Sequence, residues 1–239
     1  MSTSSSSSRT PVVLIGAAGH ASVVLDALQR QGIYDVVGLL DRSKPVGSIC
    51  GDLRVEGTQD DLPALRDRYP ELEAVIAVGE NWVRSRISQE IRQLCPGIKF
   101  ATVVHPSAQI GRGVTIGEGS VILAGAVLNA SARIGEGSIL NTRSSLDHDC
   151  VMGDFSSLGP AAAVGGSTTI GCFSYVGIGA SVIQGISIGD HTVVGAGAVV
   201  VRHIPSLVVA YGSPARIVRR RQPGDRYLAD PPTSMVAAQ

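Results

Sequence analysis

Beyond residue 100 the apolar positions of this chain recur every six residues. The series starts at Val104 and runs through Ile110, Ile116, Ile122, Leu128, Ile134, Leu140, Leu146, Met152, Leu158, Val164, Ile170, Val176, Val182, Ile188 and Val194 to Val200, without a polar interruption. A helix repeats its apolar face every three to four residues and a half-buried strand every two, so a period of six fits neither. It predicts a repeat architecture in which each hexapeptide supplies one short strand and one corner. A second column, four residues after each member of the first, consists largely of small residues such as Ala126, Ser138, Cys150, Ser156 and Ala180. Glycine often follows the aliphatic position, as at Gly111, Gly117, Gly135, Gly153, Gly171 and Gly189, and is expected there to permit a tight bend. One hexapeptide cannot bury its aliphatic side chain, but three form a triangular coil, and stacked coils bury a continuous column. Residue n+18 then lies above residue n, one strand spacing of about 4.8 Å away. The unbroken series predicts about five coils with no inserted loop.

The pattern before residue 100 is different. Short continuous apolar runs at Val12–Ile15, Val36–Leu40 and Ala74–Val78 alternate with helix-like stretches at residues 20–31, 62–69 and 81–94. Fully apolar strands separated by helices predict a small parallel sheet covered on both faces. The chain therefore divides into a serine-rich tail (1–10) expected to be disordered, an α/β domain (11–101), a β-solenoid (102–205) and a C-terminal extension (206–239) with no readable pattern.

Charge and composition narrow the function. Twenty Lys and Arg balance 20 Asp and Glu among 239 residues. There is no long-range field to gather nucleic acid or an anionic membrane surface, so neither is expected as a partner. The longest apolar run, residues 193–201, is about half a bilayer crossing and contains Gly195 and Gly197, so no membrane span is expected. The serine-rich start has no apolar core of a signal peptide. Four cysteines without a CxxC pair fit a reducing compartment, and the expected location is the cytoplasm.

Among outward corner positions of the repeat, two residues after each aliphatic one, a single histidine occurs: His148, flanked by Asp147 and Asp149. A carboxylate beside an imidazole orients it and favours its protonated form, which suits a general base near neutral pH. Gly166, one coil above, is expected to leave room for a ligand. A solvated polar corner is the alternative that the residues alone leave open. Cys150 falls in the small-residue column, which assigns it to structure and not to nucleophilic catalysis. His105, His191 and His203 occupy unrelated coil positions, so no metal site is expected. In the first domain, Gly16-Ala17-Ala18-Gly19-His20 follows a strand and opens a helix, placing backbone N–H groups where a phosphate could sit. Asp41 ends the next strand, where it could accept from a ribose. Such a turn also serves as a purely structural link, and the full dinucleotide fingerprint is missing.

Taken together, Gly16-Ala17-Ala18-Gly19-His20, Asn141-Thr142, the run from Asp147 to Phe155 and Gly212-Ser213-Pro214-Ala215-Arg216 resemble the PglD/NeuD-type bacterial sugar acyltransferases, a hexapeptide-repeat family, over residues 11–220. The resemblance implies a fold of class α/β + β: an N-terminal Rossmann-like βαβ domain followed by a left-handed parallel β-helix. It implies an acetyl-CoA-dependent N-acetyltransferase, without a metal, acting on a UDP- or GDP-linked amino sugar, a 4-amino-6-deoxy hexose, for surface-glycan biosynthesis. It further implies a homotrimer with active sites between subunits. His148 then matches the general base and Asp149 the acid that orients it, an Asp where relatives often have Glu. Gly16, Gly19, His20 and Asp41 match nucleotide-sugar contacts, and Asn141 a residue near the acceptor sugar. Gly166, Ile178 and Ala196 match positions lining the CoA arm. Many relatives carry a second histidine where this chain has Ser156-Ser157. An O-acetyltransferase of a sialic-acid-like sugar and a non-catalytic nucleotide-sugar-binding trimer are the competing readings.

Overall fold

The computed structural model describes residues 9–228; the serine-rich segment before residue 9 and the last eleven positions lie outside the described residues. The first domain runs β1 (Thr10–Ile15), α1 (Gly19–Gln31), β2 (Tyr34–Leu40), a hairpin of β3 (Ile49–Cys50) and β4 (Leu53–Arg54), a 3-10 turn (Gln59–Asp61), α2 (Leu62–Arg68), β5 (Glu73–Ile76), α3 (Asn81–Leu94) and β6 (Lys99–Phe100). Strands β2, β1, β5 and β6 lie side by side in that order, all parallel. Val12 to Ile15 are completely buried because both faces of the central strand are covered, which is why the strand reads as a continuous apolar run. Helix α1 buries Ala21, Val24, Leu25 and Leu28, three and four residues apart, and ends at Gly32 in the left-handed conformation.

The solenoid follows as two-residue strands, one per hexapeptide, from β7 (Val103–Val104) to β23 (Val199–Val200). They stack into three parallel sheets with a register of 18 residues, for example Ile139 on Val121 and Ser157 on Ile139. Five complete coils and two further strands result, with no loop between them. The aliphatic series forms one buried column together with the small residues of the second column. Some hydroxyls of that second column donate to carbonyls of the coil above, Ser120 Oγ to Gly135 O at 2.8 Å and Ser174 Oγ to Gly189 O at 2.6 Å, and others to their own coil, as Ser156 Oγ to Gly153 O at 2.7 Å. Each buried polar atom is thus satisfied inside an apolar prism.

The glycines after the aliphatic positions serve a different purpose from the one expected. None of Gly111, Gly117, Gly135, Gly153, Gly171 and Gly189 has a positive φ. Their missing side chain allows close stacking: at the equivalent Gly177, an added Cβ would sit 2.7 Å from Ala196 N and Gly195 C of the coil above. The bend falls one residue later than the outward slot, three after the aliphatic position, where Gly113, Ser131, Arg143 and Asp149 all adopt φ between 57° and 73°.

One face of the prism, carrying Val103, Val121 and Ile139, merges with α1 and the first-domain core. The junction is fixed by Arg84, whose guanidinium is fully buried. It donates to Gly137 O (2.6 Å), Val78 O (2.9 Å), Gly79 O (3.0 Å), Asn81 Oδ1 (2.7 Å) and Ser157 Oγ (3.2 Å), so all five N–H groups have acceptors. Burial lowers its pKa to about 10, which still leaves it charged at neutral pH. The described part of the C-terminal extension, up to residue 228, packs back on the prism. Strand β24 (Val208–Tyr211) continues the first-domain face of the prism, and β25 (Arg216–Arg220) pairs antiparallel with it. Tyr227 then stacks on Tyr175 at 4.5 Å between centroids, and its hydroxyl donates to Gly79 O. Among the described residues no helix is long and apolar enough to cross a membrane.

Because the coils touch at these glycines, Gly177→Ala is expected to lower unfolding free energy by about 1–3 kcal/mol, the usual cost of overpacking, as read by denaturant titration.

Candidate functional site

The sequence-predicted residues fall in three places. The first is a cavity of about 490 Å³ at the carboxyl ends of β1, β2 and β5, which brings together Gly16, His20 and Asp41 with Ala17, Ala18 and Gln59. Helix α1 opens here with no side chain capping its N-terminus. The space where a side chain of Gly19 would stand is open, so the first-turn N–H groups can be approached. Gly16 needs its φ of +105°, and a Cβ there would press on Val78 and on Ala77 O. His20 is enclosed beside Arg84. Burial first, and the Arg84 charge second, lower its pKa to about 4, so it is neutral at physiological pH. Its Nε2 is buried without a hydrogen-bond partner, and so is Gln59 Oε1.

Asp41 does not stand ready for a ribose in the way its position suggested. Its Oδ1 accepts from Ser43 N (2.6 Å), Ser43 Oγ (2.7 Å) and Lys44 N (3.0 Å), and its Oδ2 accepts from Ala17 N at 2.6 Å. These bonds hold its pKa below the usual carboxylate range against the opposing effect of burial, the largest single influence. The carboxylate pins the glycine turn to the loop after β2 and retains only one vacant lone pair, on Oδ2.

The second place is the corner that carries His148. Asp149 sits at φ 57°, a conformation that Asp tolerates better than most residues. Its carboxylate lies alongside the ring, Oδ2 being 2.9 Å from His148 Nδ1. Asp147 Oδ1 accepts both the His148 backbone N–H and Asn129 Nδ2, each at 2.7 Å. The His148 pKa is raised, chiefly by the Asp149 hydrogen bond and then by the Asp147 charge. With Nδ1–H held by Asp149, the neutral ring presents its lone pair at Nε2. Gly166 lies directly against this ring: a Cβ there would stand 2.5 Å from Nε2. The room left by that glycine is therefore occupied by the imidazole itself and not held open for a ligand. Gly165 N donates to Val182 O, whereas Gly166 N has no backbone acceptor among the described residues. Cys150 is buried, donates Sγ to Gly165 O at 3.2 Å and has its thiol pKa pushed up by burial, as befits a structural residue.

The third place is the neighbouring corner. Asn141, Ile178 and Ala196 lie along this edge, the latter two exposed. One prism face, bearing Ser145, Ala163 and Ser181, separates them from His148. Six residues along the coil amount to about 20 Å at most, so one copy of the chain does not bring these residues onto His148. Ser157 is buried in the domain junction and donates to Asn81 Oδ1 at 2.6 Å.

Two contributors escaped the sequence reading. Asn129 is legible in retrospect, since it stands 18 residues before Asp147 on the coil ruler. Gln59 carries no local motif that marks it. No cluster of His, Cys, Asp and Glu suited to a metal ion exists among the described residues.

Two titrations check this geometry. Removing the Asp149 charge withdraws support from the imidazolium, so Asp149→Asn is expected to lower the His148 midpoint in an NMR pH titration. His20 binds a proton more readily unfolded, at about 6.5, than folded, at about 4. Stability should therefore fall as pH drops through that window, by at most about 3 kcal/mol, and His20→Gln should flatten that slope in chemical denaturation.

Comparison with known proteins places the chain. Residues 11–91 match the model of the PglD N-terminal domain. PerB from Caulobacter crescentus, solved with CoA and GDP-perosamine, is 38% identical, with 87% of this chain and 97% of that chain covered at a TM-score of 0.81. The acetyltransferase domain of PglB from Neisseria gonorrhoeae, in complex with acetyl coenzyme A, is 32% identical over 88% of this chain and 100% of that one, with a TM-score of 0.80. UDP-N-acetylbacillosamine N-acetyltransferase from Bacillus subtilis is 35% identical over 116 residues, 47% of this chain and about half (51%) of the length of that protein. With the α/β domain, the left-handed parallel β-helix and the histidine corner in place, this chain belongs to the PglD-type family of nucleotide-sugar acetyltransferases.

Proposed function

We propose that the protein transfers the acetyl group of acetyl-CoA to the amine of a nucleotide-linked sugar. The substrate we infer is a UDP- or GDP-linked 4-amino-6-deoxy hexose destined for surface glycan, acetylated in the cytoplasm. The observation that carries this reading is the His148–Asp149 pair, exposed on the solenoid corner of a chain that also holds a nucleotide-sized cavity. The relatives named above support it, since the Bacillus subtilis protein is named an N-acetyltransferase, the PglB structure is of an acetyltransferase domain with acetyl coenzyme A, and PerB was solved with CoA and GDP-perosamine.

An ammonium group has no lone pair, so the amine must reach the site neutral and lose a proton as it attacks. His148 Nε2 takes that proton while the amine nitrogen bonds to the thioester carbon. Asp149 fixes the tautomer and stabilises the imidazolium that forms. The Gly166 N–H, which lacks a backbone acceptor, is the donor we assign to the developing oxyanion. Collapse of the tetrahedral intermediate breaks the carbon–sulfur bond, and the proton held by His148 passes to the departing CoA thiolate. No acyl-enzyme is required, because Cys150 is buried and both substrates meet in one complex.

The separation of the His148 corner from the edge bearing Asn141, Ile178 and Ala196 favours a site built between copies. In a homotrimer of prisms, the edge of one subunit can face the His148 corner of the next and line the CoA arm there. Each copy would then supply the base for one site and the walls for another.

His148→Ala is expected to lower kcat by 10²- to 10⁴-fold, measured as CoA release with an amino-sugar nucleotide, while CoA binding persists. Unchanged turnover would remove the basis of this reading, and acetylation of the hydroxy analogue at an equal rate would redirect it to O-acetylation. A trimer by light scattering is expected under the same conditions.

A further inference from the structure

The first-domain cavity contains a polar group that the nucleotide-sugar reading has not used. Gln59 opens the 3-10 turn after β4, and only 5% of its surface is exposed. Its Oε1 is buried without a partner, and the residue lines the cavity. An unpaired amide oxygen in a folded interior costs free energy unless something else satisfies it. A free surface loop would simply turn the group to water, but Thr58 and Asp61 cap each other around this turn and hold it in place.

The position of Gln59 follows the shape of a nucleotide. Gly16 N donates to Leu40 O (2.8 Å), Ala17 N to Asp41 Oδ2 (2.6 Å) and Asp41 N to Gly57 O (3.0 Å). These bonds set the uncapped start of α1, the Asp41 loop and the segment leading to Gln59 side by side, in that order. A diphosphate seated on the first element would carry its ribose past the second and its base to the third. Across the cavity, Val83 and Ile87 of α3 provide an apolar wall for a ring. Arg42 is not free to compete for the ligand, because it pairs with Glu90 at 2.5 Å and Asp60 at 3.2 Å.

Resting on the nucleotide-sugar reading, we propose that Gln59 is the specificity residue that recognises the nucleobase, its side-chain amide turning into the cavity so that Oε1 accepts the ring N–H of a keto base. Uracil presents that donor at N3 and guanine at N1. Cytosine and adenine present a bare ring nitrogen at the corresponding edge and would face Oε1 with a second acceptor.

The test compares the full-length protein with Gln59→Leu by calorimetric titration with UDP, GDP, CDP, ADP and ribose 5-diphosphate. The wild type is expected to bind UDP or GDP at least tenfold more tightly than CDP and ADP. The variant should lose that preference while retaining its affinity for the base-less ribose diphosphate and for acetyl-CoA. Because the amide is unpaired in the unliganded protein, the variant should melt no lower than the wild type. Retained preference in the variant, an equal loss of ribose 5-diphosphate, or a lowered melting temperature would each overturn the assignment. If the wild type bound none of the nucleotides, the nucleotide-sugar reading itself would fall, and the assignment with it.

Discussion

Each coil of the solenoid rests on the coil below through parallel backbone hydrogen bonds, and this contact leaves no vertical slack. The strand spacing is fixed near 4.8 Å, so every corner must repeat in step with its neighbours. At the glycines that follow aliphatic residues the backbone of the next coil comes within reach of any Cβ, and the second inward column is filled largely by side chains that are small or can hydrogen-bond to a carbonyl, with Ile186 an exception. Given that constraint, outward positions become a lattice with known addresses. His148, Gly166 and Asn129–Asp147 are neighbours because they are one coil apart.

The same lattice explains how His148 is kept exposed without being left loose. His148 stands on a corner, yet its ring is held on one side by Asp149, which reaches back from a left-handed bend, and packs against the bare face of Gly166. Asp147 accepts the His148 backbone N–H and is anchored by Asn129 from the coil below. A solvent-facing histidine is thereby restricted to one orientation by neighbours that the repeat delivers automatically. A loop histidine would lose more entropy on reaching the same geometry.

The first domain depends on the solenoid in a different way. Its α1 side is completed by Val103, Val121 and Ile139, and Arg84 is satisfied only because Gly137 and Ser157 lie opposite. The strap through Tyr227 returns from the far end of the prism to Gly79, beside the cavity. Burial at this junction also keeps His20 neutral, so the character of the first-domain cavity is set partly by the domain that does not form it.

The architecture was legible in the sequence because both domains use strong periodicities: six in the solenoid, and apolar strands alternating with helices before it. The period also gave the address of His148 and the structural role of Cys150, since side-chain direction in a regular repeat follows from position alone. The tertiary structure decided what depends on distant or irregular contacts. Asp41 proved to be engaged by Ala17, Ser43 and Lys44, because loops from two strand ends converge on it. Gly166 proved to seat the histidine ring, because the imidazole leans upward. Gln59 became visible only as an unpaired oxygen in a cavity, and the C-terminal strap only through its contacts with residues more than 140 positions earlier. Periodicity encodes local direction, whereas hydrogen-bond satisfaction is a property of the whole packed molecule, and that is where sequence reading reached its limit.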